Sequence, residues 1–137
     1  MKLLTQSIRD RLLRNGRIRL ALEQDGRAEA DFFPVVKLFT PDAGCTWLLT
    51  ELDPDEPDIA FGLCDLGMGC PELGTVRISE LESVRGGLGL PVERDLHFTA
   101  THTISVYARA AWNEAAITEN IDALRQAAEA AGKGGTS

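Results

Sequence analysis

Between Phe39 and Phe98 the chain leaves no room for crossovers. Four runs rich in β-branched, aromatic and aliphatic residues follow one another: PVVKLFT (34–40), CTWLLTEL (45–52), IAFGLCDL (59–66) and LGTVRI (73–78). The segments between them are Pro-Asp-Ala-Gly, the acidic Asp-Pro-Asp-Glu-Pro-Asp, and a turn containing Gly67-Met68-Gly69-Cys70-Pro71. Such compositions make turns, and prolines are excluded from central strands. Parallel neighbours need a crossover of about a dozen residues or more, so consecutive strands joined this closely pair antiparallel. The third run is almost continuously apolar, which predicts cover on both of its faces. Trp47 and Leu49 alternate onto one side of their strand, placing Trp47 in the core.

Helical patterns flank this region. Thr5 is a candidate N-cap, Leu4, Ile8 and Leu12 share one face, and Asn15-Gly16 reads as a stop. That predicts a helix over 5–15 and a loop over 25–31; between them 17–24 reads as a second short helix, with a strand as the alternative because Ile18, Leu20 and Leu22 alternate. Ser79 and Glu82 form a capping-box pattern for a helix that stops at Gly86-Gly87. Residues 88–98 read as a Pro-containing connection with a short extended end. After Thr103 the pattern is helical, with Tyr107 and Trp112 facing inward, and Ile117, Ile121 and Leu124 marking one face of an Ala-rich helix over 113–131. The expected fold is α+β: a four-stranded, mainly antiparallel meander packed by N-terminal and C-terminal helices. Residues 1–131 form one domain and 132–137 a disordered tail.

The balance of 44% apolar and 26% charged residues is that of a globular domain. No apolar run of about 18 residues is present, so no membrane-spanning helix is expected, and the charged start lacks a signal-peptide core. Cysteines at 45, 64 and 70 make no disulfide framework. A cytoplasmic protein is the expectation.

Charge is unevenly placed. Residues 1–22 hold six basic residues and one acid, whereas 23–66 hold eleven acids and two bases, within a net charge of −7. The negative total disfavours general nucleic-acid binding, although Arg9, Arg11, Arg14, Arg17 and Arg19 are a candidate phosphate-contacting row. Glu51, Asp53, Asp55, Glu56, Asp58, Asp65 and Glu72 are candidates for an acidic hairpin surface presented to a protein partner. Charge reversal at Asp53, Asp55 and Asp58 is expected to leave such a protein folded while abolishing partner capture. Arg94 and Asp95 are candidate loop-binding residues, or a loop-fixing pair.

No catalytic signature emerges. Cys64 lies in an apolar run, no cysteine-protease signature surrounds it, and neither G-x-S-x-G nor a phosphate-binding glycine loop occurs. Cys45, Cys64, Cys70 and His97 lack zinc-knuckle spacing. Residues 53–64 fail the calcium-loop pattern, with Asp58 where glycine is needed and Cys64 where glutamate is needed. No catalytic residue, metal or cofactor is therefore assigned. Glu51, Asp65 and His97 are the alternative set for a small metal-dependent or acid–base hydrolase.

Thr40-Pro41-Asp42, Thr46-Trp47, Thr50-Glu51, Asp53-Pro54, Phe61-Gly62-Leu63-Cys64-Asp65, Pro71-Glu72-Leu73-Gly74 and Arg85-Gly86 through Phe98 occur in this order. With the opening KLLTQSIRDRLLRNG, they resemble an uncharacterised family of small proteins from bacterial plasmids, integrated elements and phages. The resemblance covers roughly Met1 to Tyr107 and implies no established activity. It implies a role in plasmid maintenance, transfer or counter-defence. Relatives often carry an aromatic residue where Cys70 stands, which speaks against zinc there. The Ala-rich helix after Trp112 is an extension, a candidate for homo-oligomer or partner contact. The leading expectation is a non-enzymatic interaction protein of a mobile element. The hydrolase and the nucleic-acid module follow it.

Overall fold

The computed structural model describes residues 2–27 and 29–134. The elements are α1 (Gln6–Gln24), β1 (Val36–Phe39), β2 (Thr46–Leu52), β3 (Ile59–Asp65), β4 (Glu72–Arg77), α2 (Ile78–Ser83), β5 (Glu93–Arg94), α3 (Ile104–Glu114) and α4 (Ile121–Gly134). The sheet runs β4-β3-β2-β1-β5 with every pairing antiparallel. The expected four-stranded meander is present. The extended end of the 88–98 connection adds a fifth, two-residue edge strand, with Leu38 opposite Arg94.

Helices cover both faces of the sheet. On one side Trp47, Leu49, Leu52, Val36, Leu38 and Ala60 pack with Leu12, Ile78 and Leu81. On the other, Leu48 and Leu63 pack with Tyr107, Ala111, Leu124 and Ala127. Trp47 is core, as its alternation predicts. Strict alternation along β2 would send Leu52 to the side of Leu48. The register shift between Leu49 and Glu51 returns Leu52 to the Trp47 side and sets Glu51 opposite Phe61.

The helix starting after Thr5 does not stop at Gly16. Thr5 caps it as expected, its hydroxyl accepting from Ile8 N–H at 3.2 Å. The helix then runs to Gln24 and takes in both segments expected as separate helices. Gly16 is buried in mid-helix because a Cβ there would sit 1.9 Å from the Leu52 carbonyl oxygen. β1 pairs with β2 only as far as Leu49. Beyond that point α1 lies along β2, and Asn15 donates its side-chain N–H to the Thr50 carbonyl at 2.9 Å. The stop signal is instead a site of close backbone approach.

The capping box at Ser79 does not form. α2 begins at Ile78, and Ser79 turns its N–H (2.9 Å) and hydroxyl (2.6 Å) to the Asp58 carboxylate from the β2–β3 turn. Asp58 thus caps α2 from 21 residues away. Asp31 does the same for α3, accepting from Ser105 N–H at 3.0 Å and from the Thr103 hydroxyl at 2.8 Å. A third acid, Asp65, breaks the helix expected over 113–131. α3 ends at Glu114, Ala115 turns left-handed with φ 60°, and Ile117 N–H donates to Asp65 at 3.0 Å. Asn120 then caps α4 through Ala123 N–H at 2.9 Å. Ile117 is therefore in a connection and Ile121 is exposed, while Leu124 is buried. Tyr107 faces inward as expected. Trp112 does not; it is 56% exposed, with its indole N–H held by the Pro71 carbonyl at 2.8 Å. α4 runs through Gly134, so it absorbs the start of the expected tail; residues 135–137 lie outside the described residues.

The Ser79 hydroxyl and N–H, followed by Arg77, hold the Asp58 carboxyl below its ordinary value of 3.8. A depressed carboxyl contributes stability above its ordinary value and loses it as pH falls through the lowered one. Asp58→Asn should therefore lower Tm at pH 6 relative to wild type, with the gap closing below about pH 4. A gap that stays constant across a Tm-versus-pH series would refute the cap.

Candidate functional site

The seven acids grouped by sequence do not share one surface. Glu51, Asp53, Asp55, Glu56 and Asp58 lie at the end of the β2–β3 hairpin that carries its turn. Asp65 and Glu72 lie at the other end, where Asp65 faces Thr46 and Glu72 faces Cys64 across the ladders. Glu51 and Asp65 are both buried, at 4% exposure each. Asp65 spends its two oxygens on Gly67 N–H and Ile117 N–H. Asp58 caps α2, and Glu56 pairs with Arg77 at 3.1 Å. Only Asp55, Glu56 and Glu72 of the seven are exposed, with Asp53 and Asp58 half-buried.

The alternative trio is not assembled either. Glu51 and Asp65 are separated by the length of the β2–β3 ladder, since Asp65 faces Thr46. Five residues of strand amount to about 17 Å. His97 is exposed in a turn where its N–H donates to Asp95 at 2.9 Å. Arg94 reaches the carbonyls of Lys2 and Leu3 and ties the N-terminal segment to the edge strand. Asp95 turns to Lys37, whose ammonium also reaches Glu119. Arg94 and Asp95 therefore fix chain segments rather than face one another. Burial raises the Cys64 thiol above its ordinary value, which keeps it protonated and inert. Among the described residues no three His, Cys, Asp or Glu side chains come together as metal ligands.

What the fold does assemble is a groove beside the C-terminal half of α1. Its volume is about 370 Å³, and its lining includes Arg19, Glu23, Glu29, Glu51, Phe61 and Thr75. The register explains the floor. Glu51 faces Phe61, Phe61 faces Thr75, and Ile59 lies two residues along on the same side. Leu22 of α1 and Ala30 of the following loop add apolar wall, while Asp53 completes the acidic rim.

Arg19 spans the groove. Its Nε donates to the buried Glu51 carboxylate, and its Nη1 donates to Glu23 at 2.8 Å. Burial pushes the Glu51 carboxyl above its ordinary 4.5 despite the opposing hydrogen bond and charge of Arg19. The same contact, followed by that with Glu23, raises Arg19. A carboxyl raised in this way favours the folded state most below its ordinary value, and that contribution fades as pH climbs through the raised one. The pair is consequently a positioning device, and truncating one partner would strand the other's charge. With Glu51 neutralised by Arg19, the remaining rim is Glu23, Glu29 and Asp53 against Arg27.

Sequence reading selects Glu51 and Asp53 from this site, names Arg19 only as part of the phosphate-contacting row, and misses the rest. Glu29 and Ala30 stand in a stretch with no periodicity, and Phe61 and Thr75 read as ordinary strand positions. Arg19 had a usable signal: with Arg9 it falls on the Leu12 side of a continuous helix, away from Arg11, Arg14 and Arg17, and the expected stop at Gly16 conceals this.

The pattern of the family described as "Protein of unknown function (DUF2958)" matches residues 3–118. The chain belongs to that family. The match takes in the whole sheet, α1 to α3 and the groove, and it ends before α4. Neither a curated protein nor a solved structure matches the chain. α4 nonetheless buries Leu124 and Ala127 in the α3-side core, so the extension serves this chain's own packing.

Proposed function

We propose that this DUF2958 protein is a non-enzymatic interaction protein of a mobile genetic element. Its working surface is the groove between α1 and the β2–β4 face. The observation that carries the reading is an apolar lining of Leu22, Ala30, Ile59 and Phe61 under a rim dominated by Glu23, Glu29 and Asp53. Such a lining binds apolar side chains, and an acidic rim selects cationic neighbours and speeds their approach. The partner class is therefore a protein segment in which Lys or Arg alternates with aliphatic or aromatic residues. The exposed Asp55 of the adjoining turn extends the attraction beyond the rim. The mobile-element setting rests on the resemblance of the sequence to plasmid and phage proteins.

The residues to reverse differ from those the sequence suggests, because Asp58 is engaged in capping α2. Glu29→Lys with Asp55→Lys leaves every capping contact intact. Wild type immobilised in lysate of the native host, followed by cross-linking from position 75, should trap a Lys/Arg-rich segment. The double variant should lose that capture while its Tm stays within a degree or two of wild type. Equal capture by both proteins would sink the reading.

A further inference from the structure

We propose that the exposed side of α1 docks on the phosphate backbone of duplex DNA through Arg11, Arg14 and Arg17. The chain's other arginines are largely engaged: Arg19 with Glu51 and Glu23, Arg77 with Glu56, Arg94 with two carbonyls, Arg125 with Asp122. Arg11, Arg14 and Arg17 are exposed, and among the described residues they form no ion pair. Their spacing of three places them along one side of the helix, about 9 Å from first to last. Duplex DNA carries one negative charge per about 3.4 Å on each strand, so that span meets about three phosphates of one strand. The one acid on the same side in this half of the helix, Asp10, accepts from Gln6 at 2.8 Å.

This surface is separate from the groove, since none of the three arginines lines it. The contact is sequence-independent, because arginines on phosphates position a protein without reading bases. The net charge of −7 opposes it at long range, so binding is confined to short range and depends steeply on salt.

The test is fluorescence anisotropy with a labelled duplex DNA of about 20 base pairs, titrated with the full chain. Three neutralised phosphates predict a slope of log K against log salt of about −2.7, hence about 40-fold weaker binding at 200 mM than at 50 mM. Arg11→Ala, Arg14→Ala and Arg17→Ala should each flatten the slope by about 0.9 and together abolish binding. Arg109→Ala with Arg125→Ala, at exposed arginines elsewhere, should leave the slope unchanged. Circular dichroism confirms that each variant is folded. No retention of DNA at 50 mM, or equal slopes for wild type and the triple variant, would overturn the proposal. So would retention of polyglutamate in place of DNA, which would assign the row to an acidic protein segment.

Discussion

Gly16→Ala should destabilise the protein by roughly 3 kcal/mol and lower Tm by on the order of 10 °C. On local grounds the sign is the opposite, because glycine in a helix interior costs about 1 kcal/mol relative to alanine. The tertiary term outweighs this. The new methyl would stand 1.9 Å from the Leu52 carbonyl oxygen and 3.2 Å from the Pro54 ring. Neither obstacle is the free end of a flexible side chain, so α1 must move off β2. That movement also breaks the bond from Asn15 to Thr50 and separates Arg19 from Glu51. Thermal denaturation of the single variant decides the matter. A Tm equal to or above wild type would mean that α1 does not lie on the end of β2, and the groove beside it would fall with that contact.

Asp65→Ala comes next in size. The carboxylate is buried and accepts from Gly67 N–H at 2.8 Å and from Ile117 N–H at 3.0 Å. Hydrogen bonds to a charged acceptor are worth about 1.5–3 kcal/mol each, and the two stranded amides give a loss of about 3 kcal/mol. Asp65→Asn keeps one acceptor oxygen but points an N–H₂ at the other amide, so it should recover at most half. The α3–α4 connection should open locally before the rest of the chain. Hydrogen exchange at Ile117 reports this directly, and unaltered protection in Asp65→Ala would refute the role. A catalytic Asp65 predicts the reverse pattern, with stability preserved and activity lost.

Asp58 and Asp65 show how the acidic stretch changes meaning on folding. In sequence, both are members of a negatively charged run. In the structure they are tertiary caps, joined by Asp31 on α3 and by Asp42, which accepts from Leu88 N–H at 2.6 Å. Gly86 leaves space for that carboxylate, since a Cβ there would meet Asp42 Oδ1 at 1.6 Å. A carboxylate reaching a distant amide produces no periodic signal, so charge counting assigned to a partner what the fold uses internally. At the groove rim Asp53 accepts from Asp55 N–H at 2.9 Å and Glu23 pairs with Arg19, while Glu29 is exposed.

The strands and the antiparallel order were legible because they rest on local physics. Turn residues, short connections and alternating burial act within about ten residues, and each leaves a pattern in the chain. The helix expected over 5–15, its Thr5 cap and the core placement of Trp47 and Tyr107 are of the same kind. Where expectation failed, a partner distant in sequence intervened. Gly16 met the end of β2, Ser79 met Asp58, Ile117 met Asp65, and the 88–98 connection found an open edge at β1. The sequence alone determined the four-stranded meander, its direction and its turns, since backbone hydrogen bonding and side-chain period fix these locally. Only the tertiary structure decided which acids are caps and which face solvent, and where α1 crosses β2. Those outcomes depend on distances between elements that no local period encodes.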